Sequence, residues 1–206
     1  EDIRKFNDRT DLPEELYNLD LLDGSPPCSS FSMSGNRDKD WGKKKQFREG
    51  QANQRLDDLV YVYIETIKKL QPKVAVLENV KGLIQGNAKA YAKKMKKQFE
   101  DAGYRVQVFL LNAASMGVPQ RRERVFFIGI RNDIEAPALK LDFNEQSIPF
   151  IDIEDHSILQ EVTHTEISKL WSKVKHGQAF SMAHPNGSYF NDNKVDPQKP
   201  ITTITS

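Results

Sequence analysis

The feature that most restricts the fold is the run KVAVLENV at residues 73–80, where apolar side chains fall on successive positions. Such a run is expected of a parallel strand covered on both faces. Pro72 separates it from a helical stretch over 54–70, in which Leu56, Leu59, Val60, Tyr63, Ile67 and Leu70 recur at helical spacing. Upstream, LDLLDG (19–24) reads as a buried strand that the turn residues Asp-Gly-Ser-Pro-Pro bring to an end. Downstream, 88–102 predicts a second amphipathic helix, with Tyr91, Met95, Phe99 and Ala102 inward and Gly103 at its C-terminal cap. Its lysines 93, 94, 96 and 97 read as a solvated face. Strands are predicted at 104–113 and 124–130. Strand, helix, strand, helix, strand is the signature of a doubly wound α/β sheet, which places ligands beyond the carboxyl ends of its strands. The turns after residues 24 and 78 lie at such ends.

A chain of 206 residues has room for one α/β domain and a modest appendage. After residue 132 the periodicity weakens, which predicts a catalytic domain over 1–131, a small irregular region over 132–198, and a return to the first domain over 199–206. No apolar run reaches the roughly 20 residues a membrane helix needs, and EDIRKF does not resemble a signal peptide. Cytoplasmic placement is the expectation. Cys28 is the single cysteine, so neither a disulfide framework nor a cysteine zinc cluster is expected. The four histidines (156, 164, 176 and 184) lack a metal-binding spacing, and no metal is expected. A net charge of +1 conceals a basic stretch at 36–55, seven Lys and Arg against three acids, and an acidic stretch at 132–199. The basic stretch suits either a polyanionic partner or a solvated loop.

Three segments carry candidate chemistry. In GSPPCSSFS (24–32), Cys28 follows two prolines at a strand end, among Ser29, Ser30 and Ser32. A partly exposed cysteine of this kind is a candidate nucleophile, and the alternative is a small buried hydrophobe. Glu78 ends an apolar strand, where partial desolvation suits a carboxyl to give or hold a proton; the alternative is a cap for the next turn. In QRRERVFFIG (120–129), alternation puts Gln120, Arg122 and Arg124 on one strand face. Arginines so placed grip a phosphate or a carbonyl oxygen, or they form a surface ion pair.

PPCSSFS, ENV and QRRER, in this order and at these separations, resemble the cytosine-C5 DNA methyltransferase family. The resemblance runs from residue 1 to about 131 and returns in KPITTITS (199–206). It implies a Rossmann-like, S-adenosylmethionine-dependent methyltransferase sheet with a small target-recognition region. It implies Cys28 as the nucleophile that attacks cytosine C6, Glu78 at N3 and the exocyclic amine, Arg124 at the cytosine O2, and Arg122 near the nucleophile and a flanking phosphate. Ser32 and Gln120 would meet the substrate. DIRKF resembles the segment that meets the adenine of S-adenosylmethionine, which puts Asp2 and Ile3 on the cofactor. Pro27 and Leu59 match positions beside it, though Leu59 also fits the core stripe and Pro27 also stiffens the loop. The partner implied is double-stranded DNA with its target base flipped out, gripped by the basic loop from Gly35 to Arg55.

The resemblance further implies a monomer from a bacterial or phage restriction-modification system, with a cognate restriction endonuclease as partner. The alternatives are a tRNA cytosine-C5 methyltransferase of the same family and a non-catalytic DNA-binding relative. The family's glycine-rich cofactor loop and its C-terminal motifs are missing from the pattern. The chain therefore reads as an internal fragment, expected to bind S-adenosylmethionine poorly and methylate little by itself.

Overall fold

The strands and helices of the computed structural model follow from the patterning above, within described residues 1–27, 59–86, 88–155, 157, 165–185 and 193–202. These fall into two units, Glu1–Leu111 with Glu123–Leu141 and Asn112–Arg122 with Asp142–Ser206. Helices are α1 (Ile3–Asp8), α2 (Leu59–Leu70), α3 (Ala88–Asp101) and α4 (Thr165–Trp171). Strands are β1 (Leu21–Gly24), β2 (Val74–Val80), β3 (Tyr104–Asn112), β4 (Gln120–Arg121), β5 (Glu123–Arg131) and β6 (Ile201–Thr202).

In the first unit, α2 turns Val60, Tyr63, Ile64, Ile67 and Leu70 inward, at intervals of three and four, and leaves Glu65 and Lys68 in solvent. It ends where Gln71 adopts a left-handed backbone (φ 48°) and Pro72 removes the next N–H donor. Gln71 is held there by its amide bond to Ile67 O and by side-chain bonds to Lys68 O and Ala102 O. Helix α3 buries Ala88, Ala92, Met95 and Phe99, with Tyr91 and Ala102 packed beside the core. It closes at Gly103, whose φ of 97° a side chain would strain. Lys93, Lys94 and Lys97 are exposed, and Lys97 pairs with Asp101 one turn on.

The sheet order is β1-β2-β5-β3. It is mixed: β2 runs parallel to β1 (Leu21 opposite Val74) and antiparallel to β5 (Leu77 opposite Phe127). The apolar run of 73–80 therefore does not mark two equally covered faces. Ala75, Leu77 and Asn79 are buried, in a core shared with α2 and α3, whereas Val74, Val76, Glu78 and Val80 are half-buried. The expected burial of residues 19–24 is also corrected. Strand β1 is the sheet's outer strand among the described residues, with β2 as its one neighbour, so Leu21 stays 56% exposed.

Two tyrosines tie helix to sheet. Tyr63 of α2 reaches Leu22 O (2.9 Å) and Val76 O (2.7 Å) across β1 and β2. Tyr104 donates to Pro72 O at 2.7 Å. Burial raises both phenols, that of Tyr104 to about 12 and that of Tyr63 further. The native state thus holds these protons to higher pH than the unfolded chain, whose phenols titrate near ~10. Their contribution to stability is complete below pH ~10 and declines as pH rises toward 12 and beyond. Urea unfolding between pH 9 and 11.5 is expected to show a falling midpoint above pH ~10, with a smaller fall in Tyr63→Phe.

The second unit is built differently. Its two strands among the described residues, β4 and β6, are parallel, with Gln120 opposite Ile201. Leu170, Val174 and Phe180 make a small core, over which Trp171 stacks on Phe180 with Lys194 Nζ above the indole. The expected single strand face of Gln120, Arg122 and Arg124 does not form. Arg122 N bonds to Gln120 O (3.1 Å) and Arg122 O accepts from Ala113 N, so the chain bends there; Gln120 joins β6 and Arg124 joins β2. Among the described residues no helix is long and apolar enough to cross a membrane.

Candidate active site

Glu78 sits near the carboxyl end of β2, on the half-buried face it shares with Val76 and Val80. The antiparallel register places Phe126 opposite it and Arg124 opposite Val80, so Arg124 is its diagonal neighbour on the same face. Arg124 Nε lies 3.0 Å from Glu78 Oε1, the two side chains being 20% and 25% exposed. Arg124 also donates from Nη1 to Glu123 O at 2.8 Å, which steadies the guanidinium on its own strand.

The other carboxylate oxygen is engaged from β1. The parallel register that pairs Gly24 with Leu77 brings the next residue, Ser25, beside Glu78, and Ser25 Oγ donates to Oε2. Asn79, only 3% exposed, donates from Nδ2 to Pro26 O at 3.1 Å and accepts from Val80 N at 2.8 Å. Adjacent residues of β2 thus hold Ser25 and Pro26, and Cys28 is two positions further along the chain. An ionised carboxylate has about four acceptor sites. With one on each oxygen taken, each oxygen keeps one for a ligand with two adjacent donors.

A cavity of about 480 Å³ opens beside this cluster, walled by Ile3, Phe6, Leu22, Pro27, Leu59 and Tyr63, with Ser25 on its lining. Its size and mostly apolar wall with few polar groups are those of a small-molecule site. A larger hollow, about 660 Å³, lies along α1 and α2 and, unlike the 480 Å³ cavity, does not reach Ser25, the residue bonded to Glu78. Its polar groups serve the fold: Asn7 bonds to Val62 O and Thr66, and Lys69 to Asn7 O and Arg9 O. The 480 Å³ cavity is therefore the better candidate site despite its smaller size.

Of the residues predicted from sequence, Glu78 and Arg124 meet directly, and Ile3, Pro27 and Leu59 line one cavity. Asp2 is not on that lining; its carboxylate caps α1, accepting from Arg4 N at 2.8 Å. Gln120 and Arg122 belong to the second unit. Cys28, Ser32, the basic loop from Gly35 to Arg55, and histidines 156 and 164 lie outside the described residues. Ser25 and Asn79 escaped the sequence reading. For Asn79 a signal existed, since period-two alternation puts it in phase with Ala75 and Leu77, where a polar side chain needs a reason.

A family model described as C-5 cytosine-specific DNA methylase matches residues 1–205. The chain belongs to that family. It is 40% identical over 148 residues to the orphan methyltransferase M.SPRI of Bacillus phage SPR, an overlap of 71% of this chain and 30% of that protein. It is also 40% identical over 133 residues to the type II methyltransferase M.FnuDI of Fusobacterium nucleatum, 65% of this chain and 34% of that protein. The chain thus spans about a third of the length of these two relatives. Among solved structures, the Dnmt2 methyltransferase of S. pombe overlaps 76% of this chain and 46% of that one, with a TM-score of 0.50 at 15% identity. That likeness concerns the fold alone, which is the S-adenosylmethionine-dependent methyltransferase fold built on the mixed α/β sheet above.

Proposed function

We propose that the protein containing this chain transfers a methyl group from S-adenosylmethionine to C5 of a flipped-out cytosine in duplex DNA, through a covalent bond from Cys28 to C6. The observation that carries this reading is the Glu78 carboxylate, clamped by Arg124 on one oxygen and Ser25 on the other, with one acceptor site left on each. Cytosine C5 is a weak nucleophile. Addition of the Cys28 thiolate to C6 moves electron density toward C5 and onto the N3–O2 side of the ring. A ring that takes a proton at N3 from solvent by way of Glu78 then presents N3–H and the exocyclic amine side by side, two donors that match the two free sites of the Glu78 carboxylate. Arg124 then serves the negative charge developing at O2 and holds Glu78 in place, with Arg122 near the flanking phosphate. Loss of the C5 proton to solvent, return of the N3 proton to Glu78 and expulsion of the Cys28 thiolate restore the neutral aromatic ring after methylation.

The cofactor fits the residues present. The apolar walls of the 480 Å³ cavity suit a flat adenine, and Ile3, Pro27 and Leu59 would hold it, with Asp2 at the head of α1 nearby in sequence. When bound, S-adenosylmethionine supplies the electrophilic methyl group. Gln120 and Ser32 would contact the DNA, and the basic loop from Gly35 to Arg55 would meet its phosphates. A phage or bacterial modification setting, like that of the relatives named above, supports the further reading of a cytoplasmic monomer accompanied by a cognate endonuclease.

The test is covalent trapping. Full-length protein, incubated with S-adenosylmethionine and duplex DNA carrying 5-fluorocytosine at its target, is expected to form a denaturation-resistant complex, because a fluorine at C5 cannot leave as a proton does. The cross-link should map to Cys28 and vanish in Cys28→Ser. A parallel reaction with tRNA distinguishes the substrate. Preferential trapping on tRNA, or a cross-link elsewhere in the chain, refutes the proposal.

A further inference from the structure

The hydrogen bond from Ser25 Oγ to Glu78 Oε2 has no counterpart among the roles assigned so far. We infer that Ser25 is a positioning residue for the cytosine reaction, fixing the rotation of the Glu78 carboxylate so that its two free acceptor sites stay in the plane of the incoming base. The inference rests on the methyltransferase reading given above.

A glutamate side chain turns freely about its terminal bond, and one partner on one oxygen leaves that rotation open. Arg124 contacts Oε1 through Nε at 3.0 Å, while its Nη1 is committed to Glu123 O, so the pair is not the two-pronged fork that would lock the carboxylate plane. The second anchor comes from another strand. Ser25 follows β1 and approaches from the opposite edge of β2 to β5, so Oε1 and Oε2 are pinned from two sides. Its backbone is held in turn, since the adjoining Pro26 O is fastened by buried Asn79. Ser25 itself is exposed, so the fold does not depend on its hydroxyl, and its effect should be read in catalysis and not in stability.

Ser25 also lines the 480 Å³ cavity, which gives a rival role, a hydroxyl that serves the cofactor instead. Kinetics separate the two. In full-length protein, Ser25→Ala is expected to lower kcat about five- to tenfold, the scale of a partly exposed hydrogen bond to a charged group, with KM for DNA and for S-adenosylmethionine unchanged within about twofold. Ser25→Thr, which keeps the hydroxyl, should restore kcat. In a Glu78→Gln background, Ser25→Ala should add little further loss, because the two residues act as one unit. A raised KM for S-adenosylmethionine with kcat unchanged overturns the inference, as does equal loss in Ser25→Thr or a kcat loss that tracks a lowered unfolding midpoint. Wild-type kcat in Ser25→Ala overturns the inference and leaves the methyltransferase reading standing, whereas a wild-type protein that methylates no cytosine overturns both.

Discussion

Replacing Glu78 with Gln is expected to lower kcat of the full-length protein by about 10²- to 10⁴-fold, the range lost when a positioned proton donor or acceptor is removed. The substitution is close to isosteric. The amide can keep its oxygen toward Arg124 Nε, and its NH₂ can face Ser25 Oγ, which is free to rotate and accept. The site geometry therefore survives, and what is lost is the capacity to hold a proton between the side chain and N3. A partly exposed ion pair of this kind contributes about 0–1 kcal/mol, so the thermal midpoint should scarcely change. Single-turnover transfer of tritiated methyl groups to duplex DNA measures the first quantity, and thermal unfolding the second. A rate within about threefold of wild type would remove Glu78 from the mechanism. Arg124→Lys is a useful companion, because a lysine ammonium cannot hold both Glu78 Oε1 and Glu123 O in one plane.

How much of this site the sequence disclosed depends on whether local patterning or strand register decides the matter. Helices α2 and α3 were legible because the spacing of Tyr63, Ile67 and Leu70, or of Met95 and Phe99, is a local signal that only a helix satisfies. Glu78 was legible as the carboxylate ending an apolar run. Its partner Arg124 was legible as a residue but not as a contact, since the diagonal pairing needs β5 to run antiparallel to β2, and direction is not encoded in either strand alone. The same non-locality hid the exposure of Leu21 and the bend at Arg122, which sends Gln120 and Arg124 to different sheets. Ser25 was read as part of a turn because its chemistry lies 53 residues away in sequence, across the β1–β2 register. Family resemblance implies the roles proposed for Cys28, Glu78 and the arginines; only the fold shows that Ser25 bonds to Glu78 and Asn79 to Pro26.

Gly24 marks the point where packing and function meet most closely, and Gly24→Ala is expected to destabilise the protein by about 1–3 kcal/mol, the usual scale for overfilling a packed core. An added Cβ would lie 2.5 Å from Tyr63 Cε2 and 2.8 Å from Cδ2 and Cζ, well inside contact distance. The ring has nowhere to go. It is buried, it is wedged between α2 and the sheet, and its hydroxyl is fixed to carbonyls of both β1 and β2. Relief must come from moving β1 away from α2, and that displaces Ser25 from Glu78 and reshapes the cavity that Gly24 and Tyr63 both line. Loss of stability should therefore be accompanied by weaker S-adenosylmethionine binding. Tyr63→Phe should not rescue Gly24→Ala, because the ring and not the hydroxyl occupies the space. Tyr63→Val should, giving a double variant less destabilised than the sum of the two single changes. Urea unfolding of the four proteins, with cofactor titration of each, measures both effects. Additive losses would show that the clash is absorbed elsewhere and that Tyr63 does not set the position of β1.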